Sequence, residues 1–244
     1  MSQALTDAQL LTIWERGLAL GPTERALLTL AVAHPDCDVD ALRALPVGRR
    51  DAQLLELRVA TFGPAMRCCV TCPRCRGSSE FDLDVSTLCT GVSCSCDVVN
   101  DEFEGSHVRA RLPTSADLCA IERLGDPQAG EALLWERCIE IRDQAGQRLA
   151  AASIDSRLRA RIETMLDECD PLLDLGFQVV CAECSLQWIA PCDAPHVLWL
   201  DLARSARELL MQVDALARAY GWTEEQILGL SPGRRQLYLA MVES

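Results

Sequence analysis

Apolar residues recur along residues 4 to 60 at the three- and four-residue spacing of helices packed by one face. The segment "LTDAQLLTIWERGLAL" places Leu5, Leu10, Leu11, Ile13, Trp14 and Leu18 in this way, and "GPTERALLTLAVA" begins a second helix at Pro22 and Thr23. "DVDALRALPVGRRDAQLLELRVATFG" then predicts a short helix, a turn at Pro46 to Gly48, and a further helix ending near Gly63. From about residue 66 the period drops to two. In "SSEFDLDV", Phe81, Leu83 and Val85 alternate with Glu80, Asp82 and Asp84, the pattern of a half-buried strand with a solvated acidic face. "MRCCVT" and "HVRARLP" are expected as its neighbours.

Helical spacing returns over 115 to 170. "SADLCAIERL" is predicted to be capped by Ser115, followed by a break at Gly125, Asp126 and Pro127, then a helix through "QAGEALLWERCIEI", then one through "SIDSRLRARIETMLDECDP". "GFQVVC" and "SLQWIAP" read as a second strand pair. The last fifty residues predict three consecutive helices. A long one carries the stripe Leu202, Ala206, Leu209, Leu210, Val213, Leu216, Ala217 and Tyr220 and stops at Gly221. A short one begins with a Thr223/Gln226 capping box and a Trp222 to Ile227 staple, and the last is capped by Ser231 with Pro232 in its first turn. "LRALPVGRRDAQLLEL" and "LGLSPGRRQLYLAMV" echo one another, which the shared grammar of helix, turn and helix explains.

At 244 residues and 49% apolar composition the chain can bury a core, and disorder is not expected. Its net charge of −13 argues against a partner as anionic as nucleic acid. The N-terminal stretch lacks the basic and apolar regions of a signal peptide, and no run reaches the ~18 apolar residues of a membrane span. A soluble, cytoplasmic protein is therefore expected, and its fourteen cysteines are better read as metal ligands or core residues than as disulfides.

Four of those cysteines form two pairs, Cys72-Pro-Arg-Cys75 and Cys181-Ala-Glu-Cys184, each between two extended segments. A turn of this size aims two thiolates at one point, and tetrahedral zinc takes four. The expectation is one shared site of the zinc-ribbon type, with Cys72, Cys75, Cys181 and Cys184 as ligands and the intervening residues as an insertion. Two local sites are the alternative, Cys94 and Cys96 joining the first pair, Cys192 and His196 the second. The shared site is preferred because both pairs have the same strand, turn, strand layout. A redox site would place the first cysteine at a helix start, and here Cys75 is soon followed by a glycine, Gly77, and a strand. Cys119, Cys138 and Cys169 fall in helices and read as small core residues. With three histidines, none beside a nucleophile motif, and no phosphate-binding glycine loop, no catalytic grouping or small-molecule substrate site is evident.

The segment "CAECSLQWIAPCDAPHVLWLDLARSARELLMQVDALARAYGWTEEQILGLSPGRRQLYLAMV" resembles the C-terminal part of the T-even-type phage baseplate hub assembly chaperone family, found in contractile-tailed phages and related injection systems. The resemblance extends to "LPVGRRDAQLLELRVATFGPAMRCCVTCPRCRGSSEFDLDV" and "VRARLPTSADLCAI", so it spans about residues 10 to 243, and "LARAYGWTEEQILGLSPGRRQLYL" is its most specific element. The sequence departs from the family at Cys192, where an aromatic is expected, and in the cysteine-rich patch 89 to 96. The resemblance implies a non-enzymatic role in assembling the hub and spike of a contractile machine in the bacterial cytoplasm, with hub or spike proteins as partners.

The expected fold is α+β, mainly helical, with a small antiparallel zinc-ribbon-like sheet. It divides into an N-terminal helical region (1–64), a first knuckle with strands (65–114), a helical insertion (115–172), a second knuckle with strands (173–195) and C-terminal helices (196–244), together forming one compact domain. Arg49, Arg50, Trp222, Arg234, Arg235 and Tyr238 are candidate partner contacts. For the four arginines, internal ion pairs are the simpler reading. A zinc-ribbon regulator that binds nucleic acid is the rival function, with the net charge against it.

Overall fold

A computed structural model of the protein describes residues 3–88, 96–150, 154–173 and 175–242. Ten helices appear among them: α1 (Asp7–Gly17), α2 (Pro22–Ala33), α3 (Val39–Ala44), α4 (Val47–Phe62), α5 (Ser115–Glu122), α6 (Pro127–Cys138), α7 (Ser156–Cys169), α8 (Ala194–Tyr220), α9 (Glu224–Leu228) and α10 (Pro232–Val242). Seven strands accompany them: β1 (Ala65–Thr71), β2 (Ser78–Asp84), β3 (Val98–Phe103), β4 (Ser106–Arg111), β5 (Ile139–Arg142), β6 (Gly176–Val180) and β7 (Gln187–Pro191). The protein is thus α+β, with small antiparallel sheets. No helix among the described residues is long and apolar enough to cross a membrane.

The 27-residue α8, about 40 Å long, is the beam on which the N-terminal helices are laid. Its stripe Leu198, Leu202, Ala206 and Leu209 is buried against Leu10 and Ile13 of α1, Leu27 and Leu30 of α2, and Leu54 and Leu57 of α4. Gly221, with φ 69, ends it in the left-handed conformation that glycine adopts without steric cost. The Thr223/Gln226 capping box is present in α9. Trp222 stacks on Tyr220 at 4.7 Å between ring centroids and meets Tyr238 edge-on at 4.9 Å, tying the end of α8 to α10.

The strands depart from expectation in the sheet that β4 joins and in two strands, β3 and β5, that the sequence pattern does not predict. β4 does not join β1 and β2; it sits between β3 and β5 in a sheet of its own, while β1 pairs with β2 and β6 with β7. Val108 and Ala110 turn inward to a second core with Trp135, Ile139, Ile141 and Ile162. β3 and β4 are joined by the two-residue turn Glu104-Gly105, both at positive φ, a hairpin signal that "FEGS" carried in the sequence. α6 stops at Cys138, so "CIEI" is not its last turn. Ile139 and Ile141 are buried on either side of half-buried Glu140, and the insertion 115–172 is therefore not wholly helical. The cap of α5 is Thr114 rather than Ser115, because Thr114 and Asp117 form the reciprocal box.

Two buried carboxylates fasten the insertion to the rest. Asp117 is fully buried, accepts both Nη groups of Arg111 at 2.6 and 2.9 Å and Nε of Arg137 at 2.6 Å, and also accepts from the Thr114 N–H and hydroxyl. Burial would push its carboxyl up, but these partners outweigh it and hold the group well below the usual carboxylate range. Asp170, at the end of α7, accepts the Gly48 N–H at 3.0 Å and so caps α4, whose own N-cap residue, Pro46, offers no side-chain acceptor. The expected turn at Pro46 to Gly48 is thus shortened, with the helix beginning at Val47. A Cβ at residue 48 would lie 2.0 Å from Asp170 Oδ1, so this remote cap requires glycine.

Asp117→Ala is expected to cost about 3 kcal/mol in urea unfolding, the low end for breaking a buried pair, since Arg111 and Arg137 are 34% and 41% exposed and can turn to water. Because the folded Asp117 titrates below its unfolded value of about 3.9, its contribution is complete above that pH and disappears as pH falls through the lowered folded value; the variant should lose this part of the acid dependence. Gly48→Ala should cost about 1 to 2 kcal/mol by displacing the Asp170 cap, measured the same way.

Candidate metal centre

The two cysteine pairs fold into the same device twice. Thr71 pairs with Ser78 and Val180 with Gln187 as the last rungs of their hairpins, leaving six residues in each turn. Inside the turn, Cys72 N–H donates to the Gly77 carbonyl at 2.8 Å and Cys181 N–H to that of Leu186 at 2.9 Å. Arg76 N–H closes onto the Cys72 carbonyl and Ser185 N–H onto that of Cys181, both at 3.0 Å. These closing residues have φ 65 and 56, a left-handed conformation that costs a non-glycine residue of order 1 kcal/mol and that surrounding structure must hold.

Tertiary packing brings the turns face to face. Phe81 of β2 meets Phe177 of β6 edge-on at 5.4 Å, above a small core of Leu55, Met66, Cys68, Val85 and Ala194. Arg58, buried in α4, donates Nε to Asp201 of α8 at 2.9 Å, Nη1 to the Gly63 carbonyl at 3.0 Å and Nη2 to the Ala65 carbonyl at 3.1 Å. One guanidinium therefore fixes the first hairpin's entrance to the helix that follows the second. Sequence reasoning missed it, because Arg58 and Asp201 are 143 positions apart and no spacing rule relates them.

The result is a cluster of four sulfurs. Cys72 Sγ lies 3.6 Å from Cys184 Sγ, Cys75 Sγ lies 3.5 Å from Cys181 Sγ, and all four are within 4.8 Å of one another. Disulfides need about 2.0 Å, whereas four thiolates 2.3 Å from a tetrahedral ion are separated by roughly 3.8 Å. The geometry fits a metal ion. Cys72 and Cys181 are buried, Cys184 is half-buried and Cys75 is exposed, so one corner of the cluster meets solvent. There Cys75 also faces Glu183 of the other turn, with Sγ 3.6 Å from Oε2.

Electrostatics point the same way. The Cys75 N–H, followed by that of Arg74, favours the Cys72 thiolate and lowers its pKa to about 6. The Gly77 N–H favours the Cys75 thiolate too, but the neighbouring sulfurs, Cys181 foremost, prevail and push that thiol up to about 12. Cys184 is likewise raised: desolvation and the Cys72 and Cys181 sulfurs outweigh its largest single influence, the favourable Leu186 N–H. Negative charges this close cannot all form unaided, and a divalent cation among them removes the conflict. Four protein ligands also leave no open coordination position, as in sites that hold structure together.

The other candidates fall elsewhere. Among the described residues, neither Cys96 nor Cys192 nor His196 belongs to a metal-capable group; Cys89 and Cys94 lie outside the described residues. His196 is exposed in the first turn of α8, its N–H capped by Asp193 at 3.0 Å. Cys138 and Cys169 are buried and Cys119 half-buried. Arg49 pairs with Asp97 at 2.8 Å; Arg50 is buried and donates to Asp51 at 2.7 Å; Arg235 is buried and donates to Asp7 at 2.6 Å and Gln212 at 2.8 Å. Arg234 is exposed. Trp222 and Tyr238 are half-buried in the aromatic cluster at the end of α8.

Purified protein is expected to carry one tightly bound metal ion per chain by elemental analysis, and Cys184→Ser to lose it, with a lowered melting temperature. Retention of a full equivalent by the variant would show that the ion sits elsewhere. The chain has no match among family models, curated proteins or solved structures.

Proposed function

We propose that the protein is a non-enzymatic assembly factor or component of the baseplate hub of a phage tail or contractile injection system, acting in the bacterial cytoplasm and stabilised by structural zinc in a zinc-ribbon-like pair of knuckles. The observation that carries the zinc is the set of four sulfurs drawn from hairpins 106 positions apart. An all-thiolate tetrahedral set suits zinc, and iron is the other metal it would take. Supporting the assembly role is the family resemblance over residues 10 to 243. A closed ligand set fits that role, since it supplies rigidity rather than a reacting atom.

Zinc here would join the element following α4 to the element preceding α8, closing a large loop through the insertion. The free energy of binding would then be folding free energy for the two hairpins. The helical surfaces beyond them would be presented rigidly to a hub or spike protein.

Co-expression with the hub and spike proteins of the same contractile machine should yield a complex that survives size-exclusion chromatography, and zinc should be the metal recovered from it. Absence of any complex with either protein would remove the assembly reading. Retention on DNA that weakens with salt would favour the regulator instead.

A further inference from the structure

The outer face of the sheet β3, β4 and β5 gathers arginines on an acidic chain. All 23 cationic side chains of the protein are arginines, and four of them, Arg109, Arg111, Arg137 and Arg148, line one cleft of about 240 Å³ beside β4 and the end of α6. Val108 and Ala110 point into the core, so the alternation of the strand sends Arg109 and Arg111 outward. Arg111 and Arg137 share the single carboxylate of Asp117, and Arg137 reaches it through Nε alone. Among the described residues, the Arg148 side chain donates to the Glu136 carbonyl, at 3.3 Å, and forms no ion pair. Arg109 makes no side-chain hydrogen bond or ion pair among the described residues. The cleft thus gathers guanidinium donors in excess of their acceptors.

We infer that this cleft receives a carboxylate side chain from an extended acidic segment of a partner protein. Guanidinium groups match a carboxylate in planar, two-point hydrogen bonding, which makes charge complementarity specific as well as attractive. The same walls argue against a polyanion. Glu136 and Glu140 line the cleft, Glu102 lies two positions from Asn100 on the exposed side of β3, and the whole chain carries −13. A nucleic-acid backbone would meet these charges repeatedly, whereas one carboxylate among four guanidiniums meets them once. The inference stands apart from the identity of the machine and from the metal, since no cleft residue belongs to the cysteine cluster.

The test is fluorescence anisotropy on the full chain with three labelled probes: an octapeptide of alternating Glu and Gly, its Gln counterpart, and a short single-stranded oligothymidylate. The Glu peptide should bind saturably, weaken with salt, and lose about tenfold in affinity with Arg109→Ala/Arg148→Ala, which leaves the Asp117 pairing intact. Arg204→Ala/Arg218→Ala, removing two exposed arginines of α8, should bind as wild type, and an unchanged melting temperature in both variants should exclude unfolding. Equal binding of the Gln peptide, no saturable binding of the Glu peptide, equal loss in both variants, or tighter binding of the oligonucleotide dependent on Arg109 and Arg148 would each overturn the inference.

Discussion

Four sulfur atoms within 4.8 Å of one another impose the constraint on which the centre of this structure turns. Two-stranded hairpins are marginal in water, because each buries too little on one face to offset the entropy of ordering its residues. Here both hairpins are of that size, and their shared core is small. Holding the two turns together therefore falls to the sulfur cluster, the Phe81 and Phe177 contact, and the helices on either side. The electrostatic conflict among the thiolates and the strained backbone at Arg76 and Ser185 are features that an ion at the centre would make coherent.

Polar pins complement that centre. Arg58 to Asp201, Arg235 to Asp7, and Asp170 to the Gly48 amide each join elements more than 120 positions apart. Buried ion pairs contribute little net stability against an apolar alternative, yet removing one partner is costly. They tie α4 to α8, α10 to α1, and the end of α7 to the start of α4. Asp117 joins the insertion to the strand before it, where β4, α5 and α6 converge on one carboxylate.

The molecule so organised is held at its centre by the sulfur cluster and the polar pins and is varied on its outside. Its surface includes an arginine cleft on an acidic protein and an aromatic cluster at the far end of α8. Under the proposed assembly role, these are the surfaces on which a partner protein would act.

Periodicity by itself determined the helices, because capping, apolar spacing and breakers such as Gly21-Pro22, Gly63 and Gly221 act within a few residues of one another. The two knuckles were equally legible, since Cys-x-x-Cys between alternating segments is a local pattern with a chemical meaning. Partnership between strands was not legible: "HVRARLP" reads as a strand wherever it pairs, and only the burial of Val108 and Ala110 against Trp135 and Ile162 decided for a separate sheet. β5 was missed for the same reason, its four residues being too few to show a period of two after a helix. The union of Cys72 and Cys75 with Cys181 and Cys184 could be argued from symmetry of layout, but it was decided by tertiary packing alone. Sequence specifies what a neighbour can do within a turn or two, and distances across 106 positions exist only once the core has formed.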